Sequence, residues 1–366
     1  MTSTERSQIA IVFGTRPEMI KLAPVARELG DRATLVHTGQ HFDSTMSQTL
    51  LYQLGLGEPD VRLDVGGRTR GAQIGAATIA VEELLLEREF AAVVVQGDTN
   101  SGLAGALAAN AAEVPLVHLE AGLRSFDRRM PEEHNRVLID ALADLCCAPH
   151  QSNAKLLEQE GVSPERIAIT GSTLSDAVYA MMPSAEDRSD LLRSFGYSAG
   201  EYVVATIHRA ENADHPDRLE AILTALANLD RPVLLPLHPR TRRRVAEFGL
   251  GSLLDRMMVV EPLGYTEFLA VAADCALLVS DSGGVQEEAT IVRRPVVIVR
   301  DSTERPEIVG TFAHLVGAGS DISVTANALL ADIESVHATL AELPYPYGDD
   351  ATKRCVEAID RLLPPP

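Results

Sequence analysis

Short apolar runs rich in Val and Ile recur along the chain, and they limit the fold more than any other feature. In the first half they are QIAIVFG (8–14), ATLVHTG (33–39), AAVVVQGD (91–98), VPLVHLEAG (114–122), DLCCAP (144–149) and RIAITGS (166–172). The second half carries YVVATIH (202–208), PVLLPLHP (232–239), RMMVVEPL (256–263), CALLVSDSGG (275–284) and RPVVIVRDS (294–302). A run that is apolar at successive positions, rather than at alternate ones, is a strand covered on both faces, as in a parallel sheet. Each run leads into a Gly- or Pro-marked loop and then a helical pattern, such as residues 80–89 or RLEAILTALANL (218–229). Strand and helix alternating over the whole length predict a doubly wound α/β architecture. At 366 residues the chain exceeds one ordinary core. The pattern restarts near 201, and 180–200 is richer in Pro, Ser, Gly and charge than its flanks, which reads as a linker. The expectation is two Rossmann-like domains, 1–185 and 186–350, with a cleft between them. A closing helix within 351–366, with Asp349 or Asp350 near its N-cap, is expected to cross back to the first domain.

A hydrophobic fraction of 46% supplies two cores and excludes disorder. The net charge of −20 argues against nonspecific nucleic-acid binding and against an anionic membrane surface. It leaves room for a small anionic ligand in a local cationic pocket. Cys146, Cys147, Cys275 and Cys355 form no CxxC pair, so buried reduced thiols are expected rather than a metal site or disulfide framework. No signal peptide or membrane-spanning run is read, and the expected compartment is the cytoplasm.

In open α/β sheets ligands bind beyond the carboxyl ends of the strands, so the polar residues following each run are the candidates. GTRPEMIK (14–21) has Gly14 for a close turn, Pro17 for a first helical turn, and Arg16 and Lys21 to meet an anion. GDTNS (97–101) releases Asp98 at a strand end, where it can equally cap the next helix. HLEAGLRSFDRRMPEEHNR (118–136) brings Glu120, then Glu132, Glu133 and Arg136, to the mouth of a helix. A charged N-terminus accounts for one Glu there. Carboxylates converging from neighbouring strand ends raise one another's proton affinity, which suits proton transfer. TIHRAEN (206–212) sets His208 and Arg209 at a strand end, and LHPRTRRR (237–244) offers His238 beside an arginine-rich face. SDSGGVQEEA (280–289) turns tightly at Ser282, Gly283 and Gly284, whose amides can cradle a phosphate, with Glu288 expected on the first helical turn within reach of ribose hydroxyls. DSTERPE (301–307) adds Arg305 near Glu304 and Glu307. Neither GxGxxG nor a Walker A loop occurs, so neither NAD nor a P-loop nucleotide is indicated.

GTRPEMIK, TGQHFD, GDTNS, EAGLRS, MPEEHNR, TIHRAEN, SDSGGVQEEA and DSTERPE, in that order from about residue 10 to 310, resemble the signature set of the non-hydrolysing UDP-N-acetylglucosamine 2-epimerases. The resemblance implies a GT-B-like pair of Rossmann domains, no metal and no cofactor, a homodimer, and a UDP-sugar as substrate. Its implied reaction interconverts UDP-N-acetylglucosamine and UDP-N-acetylmannosamine through a glycal intermediate. By the same resemblance Asp98, Glu120 and Glu132 are the acid–base carboxylates, His208 stands near the diphosphate, and Arg16 and Lys21 are cationic site residues. Ser282, Gly283, Gly284 and Glu288 become the UDP-binding loop, with Arg136 orienting the carboxylates; Arg305, from its own place at a strand end, is expected to line the same cleft. The chain departs from the pattern at Ala210, where many bacterial members carry a second Arg, and at Ile308–Val309–Gly310–Thr311, where Val-Glu-Ala-Gly is usual. The hydrolysing relatives share these motifs, TGQHFDSTMSQ is similar to relatives acting on other UDP-2-acetamido sugars, and the two-domain architecture is common to glycosyltransferases.

Overall fold

A computed structural model describes residues 8–40 and 44–363. His41, Phe42 and Asp43 of the TGQHFD motif lie outside the described residues. The chain divides into two compact units: residues up to Tyr179 together with those from Tyr347 onward, and Ala180–Pro346.

The first unit is built on a seven-stranded sheet. Its strands are β1 (Ile9–Phe13), β2 (Ala33–His37), β3 (Val61–Arg62), β4 (Ala92–Gln96), β5 (Leu116–Leu119), β6 (Leu145–Ala148) and β7 (Ile167–Ile169). They lie in the order β3-β2-β1-β4-β5-β6-β7, with every pairing parallel. β1, β4, β5 and β6 are buried at every position, the physical reason their sequences are unbroken apolar runs. The core includes Val12, Val93, Val95, Leu103, Ile139 and Leu157. The helix Ala351–Leu362 belongs to this unit and packs on the helix Arg16–Leu29 and on β6. Asp350 is its N-cap residue.

The second unit has a six-stranded sheet: β8 (Val203–Thr206), β9 (Val233–Pro236), β10 (Met258–Val260), β11 (Leu277–Ser280), β12 (Val296–Val299) and β13 (Ala313–Val316). Their order is β10-β9-β8-β11-β12-β13, again all parallel. The stretch 180–200, read from its composition as a linker, contains the helix Ala185–Ser194. Ser184 caps that helix through the Asp187 amide, and Arg188 pairs with Asp274 at 2.8 Å on the helix Tyr265–Asp274. Its Ser, Asp and Arg content serves a cap and an ion pair.

Both units are therefore Rossmann-like, the α/β class implied by the sequence. In each, the strand order reverses between the first strand and the fourth, at β1 and β4 and again at β8 and β11. Connections leaving neighbouring strands at such a switch point part to opposite faces and open a crevice at the carboxyl edge. Arg16, Lys21 and Asp98 stand on those connections in the first unit, and His208, Ser282, Gly283, Gly284 and Glu288 in the second, while Glu120 and Glu132 follow β5 and Arg305 follows β12.

Candidate active site

In the first unit the turns after β1, β4 and β5 hold the candidates. Glu120 follows β5 with φ of 68°, a left-handed conformation uncommon for a residue with a side chain. Both of its carboxylate oxygens take hydrogen bonds from the Lys21 ammonium at 2.6 Å, and Gln96 donates to one of them. Lys21 thus engages a carboxylate, where the motif alone suggested an anionic ligand. Asp98 stands in the turn after β4. It is not the cap of the next helix: Thr99 is, accepting from the Gly102 amide at 2.9 Å. The Asp98 carboxylate takes a hydrogen bond from the Arg136 guanidinium, and its carbonyl accepts from Asn135 at 2.8 Å. Gly97, the residue before Asp98, lies close enough to Glu120 that an added Cβ would sit 3.8 Å from its Oε2. Asp98, Glu120, Lys21 and Arg136 therefore converge.

Glu132 does not join them by contact. It is exposed on the first turn of the helix Pro131–Leu142 and makes no hydrogen bond or ion pair among the described residues. Arg16, at the first position of its helix, is also exposed and makes no such contact among the described residues. Glu133 is the buried one of the pair. It accepts from the Ser125 amide at 3.0 Å, the Phe126 amide at 2.8 Å and Arg136 at 2.7 Å. Burial opposes its charge, but these donors hold the carboxyl below its usual range. Glu133 fixes the 123–130 loop and the guanidinium that reaches Asp98. The exposed Glu132 is left free for a ligand.

Glu18 was not among the sequence candidates. It is 1% exposed and accepts from the Gly14 and Thr15 amides at 3.0 and 2.8 Å, and from the Thr15 and Thr99 hydroxyls at 2.8 and 2.6 Å. It ties the turn after β1 to the turn carrying Asp98. The signal was present as Thr15-x-x-Glu18, the spacing of a capping box.

In the second unit Asp281, fully buried after β11, organises the turn after β8. Its carboxylate accepts from the His208 amide at 3.1 Å, the Arg209 amide at 2.9 Å and Asn212 Nδ2 at 3.1 Å, and faces His208 Nδ1 at 3.2 Å. Burial lowers the proton affinity of the His208 imidazole; Asp281 opposes this, while Arg209 and Arg240 add to it. The His238 ring lies 5.5 Å from that of His208. Ser282 is the N-cap residue of the helix Gly283–Ile291 but its side chain makes no cap bond, so the Gly283 and Gly284 amides face the helix N-terminus uncapped by it. Arg209 donates to the Asp281 carbonyl at 2.7 Å, with its guanidinium beside Gly283. Cation and amides together make an anion-binding corner.

Glu288 is the sixth residue of that helix and so lies on the second turn, not the first as its spacing from Ser282 suggested. Glu288 is buried near Tyr265, whose phenol is pushed well above its usual range by burial and by the Glu288 and Glu287 charges. Arg305 is 3% exposed and paired with the fully buried Glu287 at 2.5 Å. With Thr303 donating to Gln286 at 2.5 Å, it fastens the 301–305 loop to the helix Gly283–Ile291. Its guanidinium is committed to that internal pair.

Known proteins resemble this chain in sequence and in fold. The sequence profile of the UDP-N-acetylglucosamine 2-epimerase family matches residues 26–360. A UDP-N-acetylglucosamine 2-epimerase of Methanococcus maripaludis is 40% identical over 324 residues, 86% of this chain and 88% of that protein. A UDP-2,3-diacetamido-2,3-dideoxy-D-glucuronate 2-epimerase of Pseudomonas aeruginosa is 40% identical over 327 residues, covering 87% and 90%. Among solved structures, the Methanocaldococcus jannaschii UDP-GlcNAc 2-epimerase in complex with UDP-GlcNAc and UDP superposes with a TM-score of 0.84 at 36% identity, covering 97% of this chain and 99% of that one. The Neisseria meningitidis UDP-GlcNAc 2-epimerase bound to UDP-GlcNAc gives 0.88 at 28% identity, covering 97% and 100%. With its profile, its relatives and its two Rossmann-like units in agreement, this chain belongs to the UDP-N-acetylglucosamine 2-epimerase family and is an epimerase.

Proposed function

We propose that the enzyme inverts C2 of a UDP-2-acetamido sugar by eliminating UDP and adding it back, interconverting UDP-N-acetylglucosamine and UDP-N-acetylmannosamine. A carboxylate takes the C2 proton. The C2–H electrons form the C1=C2 bond of a 2-acetamidoglucal as the C1–O bond breaks, and UDP leaves with that electron pair. In the return step a proton reaches the opposite face of C2 while UDP oxygen rebinds C1. Two faces require more than one proton-transfer group. The observation that carries the reading is the pairing of Glu120, held on a left-handed backbone by Lys21, with Asp98, held by Arg136, at adjacent strand ends. The exposed Glu132 is the third candidate. On the second unit the Gly283 and Gly284 amides, Arg209 and His208 are suited to the diphosphate. A diphosphate beside His208 favours its protonated form, which can then donate to the departing oxygen.

Incubation with UDP-N-acetylglucosamine in deuterium oxide tests this. Deuterium at C2 and a manno product are expected, and Asp98→Asn is expected to lose turnover by several orders of magnitude while UDP binding survives. Absence of both deuterium and manno product, under conditions where UDP binds, removes the proposal. Free N-acetylmannosamine accumulating in the same assay favours hydrolysis. A second substrate is worth testing in parallel. The Pseudomonas relative named for a diacetamido glucuronate is as similar, at 40%, as the Methanococcus relative named for UDP-N-acetylglucosamine. Chemistry at C2 is common to both names, so the substituents at C3 and C6 are the variables.

A further inference from the structure

Beneath the turns that carry Asp98 and Glu120 lies a buried charged cluster with no direct part in the chemistry proposed above. His118, on β5, is fully buried, and Asp140, on the helix Pro131–Leu142, is 1% exposed. His118 Nδ1 lies 2.6 Å from Asp140 Oδ1, and Nε2 lies 2.8 Å from the Gly97 carbonyl. The other Asp140 oxygen accepts from the Gly122 amide at 3.1 Å and meets the Arg124 guanidinium at 2.7 Å. Arg124 also pairs with Glu160 at 2.6 Å. Gly97 immediately precedes Asp98, and Gly122 follows Glu120 by two residues. Gly122 has φ of 80°, and an added Cβ would meet the Asn153 carbonyl at 2.6 Å, so the turn admits no side chain at that position without a shift.

The hydrogen bonds constrain the ring. A carbonyl oxygen only accepts, and so does an ionised carboxylate. Burial raises the proton affinity of Asp140, but His118 and Arg124 outweigh it and hold the carboxyl below its usual range. A ring with a single N–H would set a nitrogen lone pair against an oxygen lone pair in a buried site. With two N–H groups the cluster is satisfied and also neutral in sum: His118 and Arg124 positive, Asp140 and Glu160 negative. Resting on the acid–base reading above, we propose that His118 is a positioning residue, a buried imidazolium that donates from both ring nitrogens and fixes the turns carrying Asp98 and Glu120 against one another. Asp140 extends the brace to the helix whose Arg136 holds Asp98. Displacing either carboxylate by about 1 Å is enough to cost on the order of a hundredfold in rate.

The test has two arms. In the native enzyme with 15N-labelled histidine, the His118 ring, assigned by its through-space contacts with its β5 neighbours, is expected to show protons on both nitrogens at neutral pH. A bare ring nitrogen overturns the brace, and this measurement stands even if the variant fails to fold. In the kinetic arm His118→Gln, which can donate only at one end, is expected to lower kcat and C2 deuterium exchange about a hundredfold with KM and UDP affinity held within about twofold. Loss of stability with an unchanged kcat per folded molecule would show a merely structural role and also overturns it. Asp98→Asn separates the two readings. If that variant keeps C2 exchange, the acid–base reading falls, while the ring protons still decide the brace.

Discussion

The Glu18 carboxylate takes four hydrogen bonds between the turns after β1 and β4, yet burial outweighs those donors and pushes its pKa from 4.5 up to about 7. The unfolded chain releases that proton near 4.5, the folded chain near 7. Between those values the native state binds more protons, so this group makes stability fall as pH rises through the window, with little further change above it. At up to about 1.4 kcal/mol per pH unit, the whole effect is on the order of 3 kcal/mol. Glu18→Gln removes the titration. Urea unfolding of both proteins at pH 5 and pH 7.5 is expected to show the stability difference moving in the variant's favour by roughly that amount. A difference independent of pH would mean that the four donors dominate and the carboxylate ionises as freely as in the unfolded chain. Because Thr99, one of those donors, adjoins Asp98, the same titration bears on how firmly the turn carrying Asp98 is held near neutral pH.

At the scale of elements, the helix Gly283–Ile291 isolates one physical claim: that backbone N–H groups contribute to the proposed grip on the diphosphate beside Arg209 and His208. Ser282 is extended, with φ of −79° and ψ of 133°, the conformation a following proline requires. Proline is tolerated at the first helical position. Gly283→Pro should therefore keep the helix and delete one donor, while Gly283→Ala adds a Cβ and keeps it. Loss of a hydrogen bond to a charged group costs about 1.5–3 kcal/mol. By titration calorimetry, UDP is expected to bind the Pro variant roughly ten- to a hundredfold more weakly than the Ala variant. Equal affinities would move the grip to Arg209 and His208. The turn was legible because Ser-Gly-Gly follows a buried strand, whereas Glu288 was misplaced by one turn because a cap residue cannot be located to that precision from spacing. Similar physics sorted the strands. The central ones declared themselves as unbroken apolar runs, but the edge strands Val61–Arg62 and Ala313–Val316 escaped notice, being short or only partly buried. The carboxylates at strand ends were legible from position. Glu18 had a signal in its capping-box spacing, but the buried partners Glu133, Asp140 and Asp281 had none, since a charged residue in a sequence does not announce that three or four donors await it.

Taken whole, the chain is interleaved: the second unit is one continuous segment, Ala180–Pro346, and the first is closed by residues that follow it. The helix Ala351–Leu362 buries Ala351, Cys355, Val356, Ala358 and Ile359 in the first unit. Polar ties reinforce it: Arg32 to Asp360 at 2.7 Å, the Thr352 amide to Asp176 at 2.9 Å, and Arg354 to the Thr170 carbonyl at 2.9 Å. Residues 170–173 adjoin Lys21 and Glu120 around a small cavity that Cys355 also lines. Removing this helix therefore uncovers apolar core directly behind the Lys21–Glu120 pair. Burial of Val356 and Ile359 is worth about 1.5–3 kcal/mol each, with smaller additions from Ala351, Cys355 and Ala358, so the loss takes a large share of the stability of a domain. Truncation after Pro346 is expected to unfold or aggregate the first unit and abolish epimerisation. The second unit, with its own core and its own sheet, is expected to keep a cooperative transition and to bind UDP. Calorimetry of the truncated and full chains, with and without UDP, separates the outcomes. A ligand-stabilised transition surviving alone in the truncated chain supports the division of labour between a UDP-gripping unit and an acid–base unit. Loss of UDP binding would show that the grip needs residues of the first unit, and an unaltered first transition would show that the closing helix is dispensable.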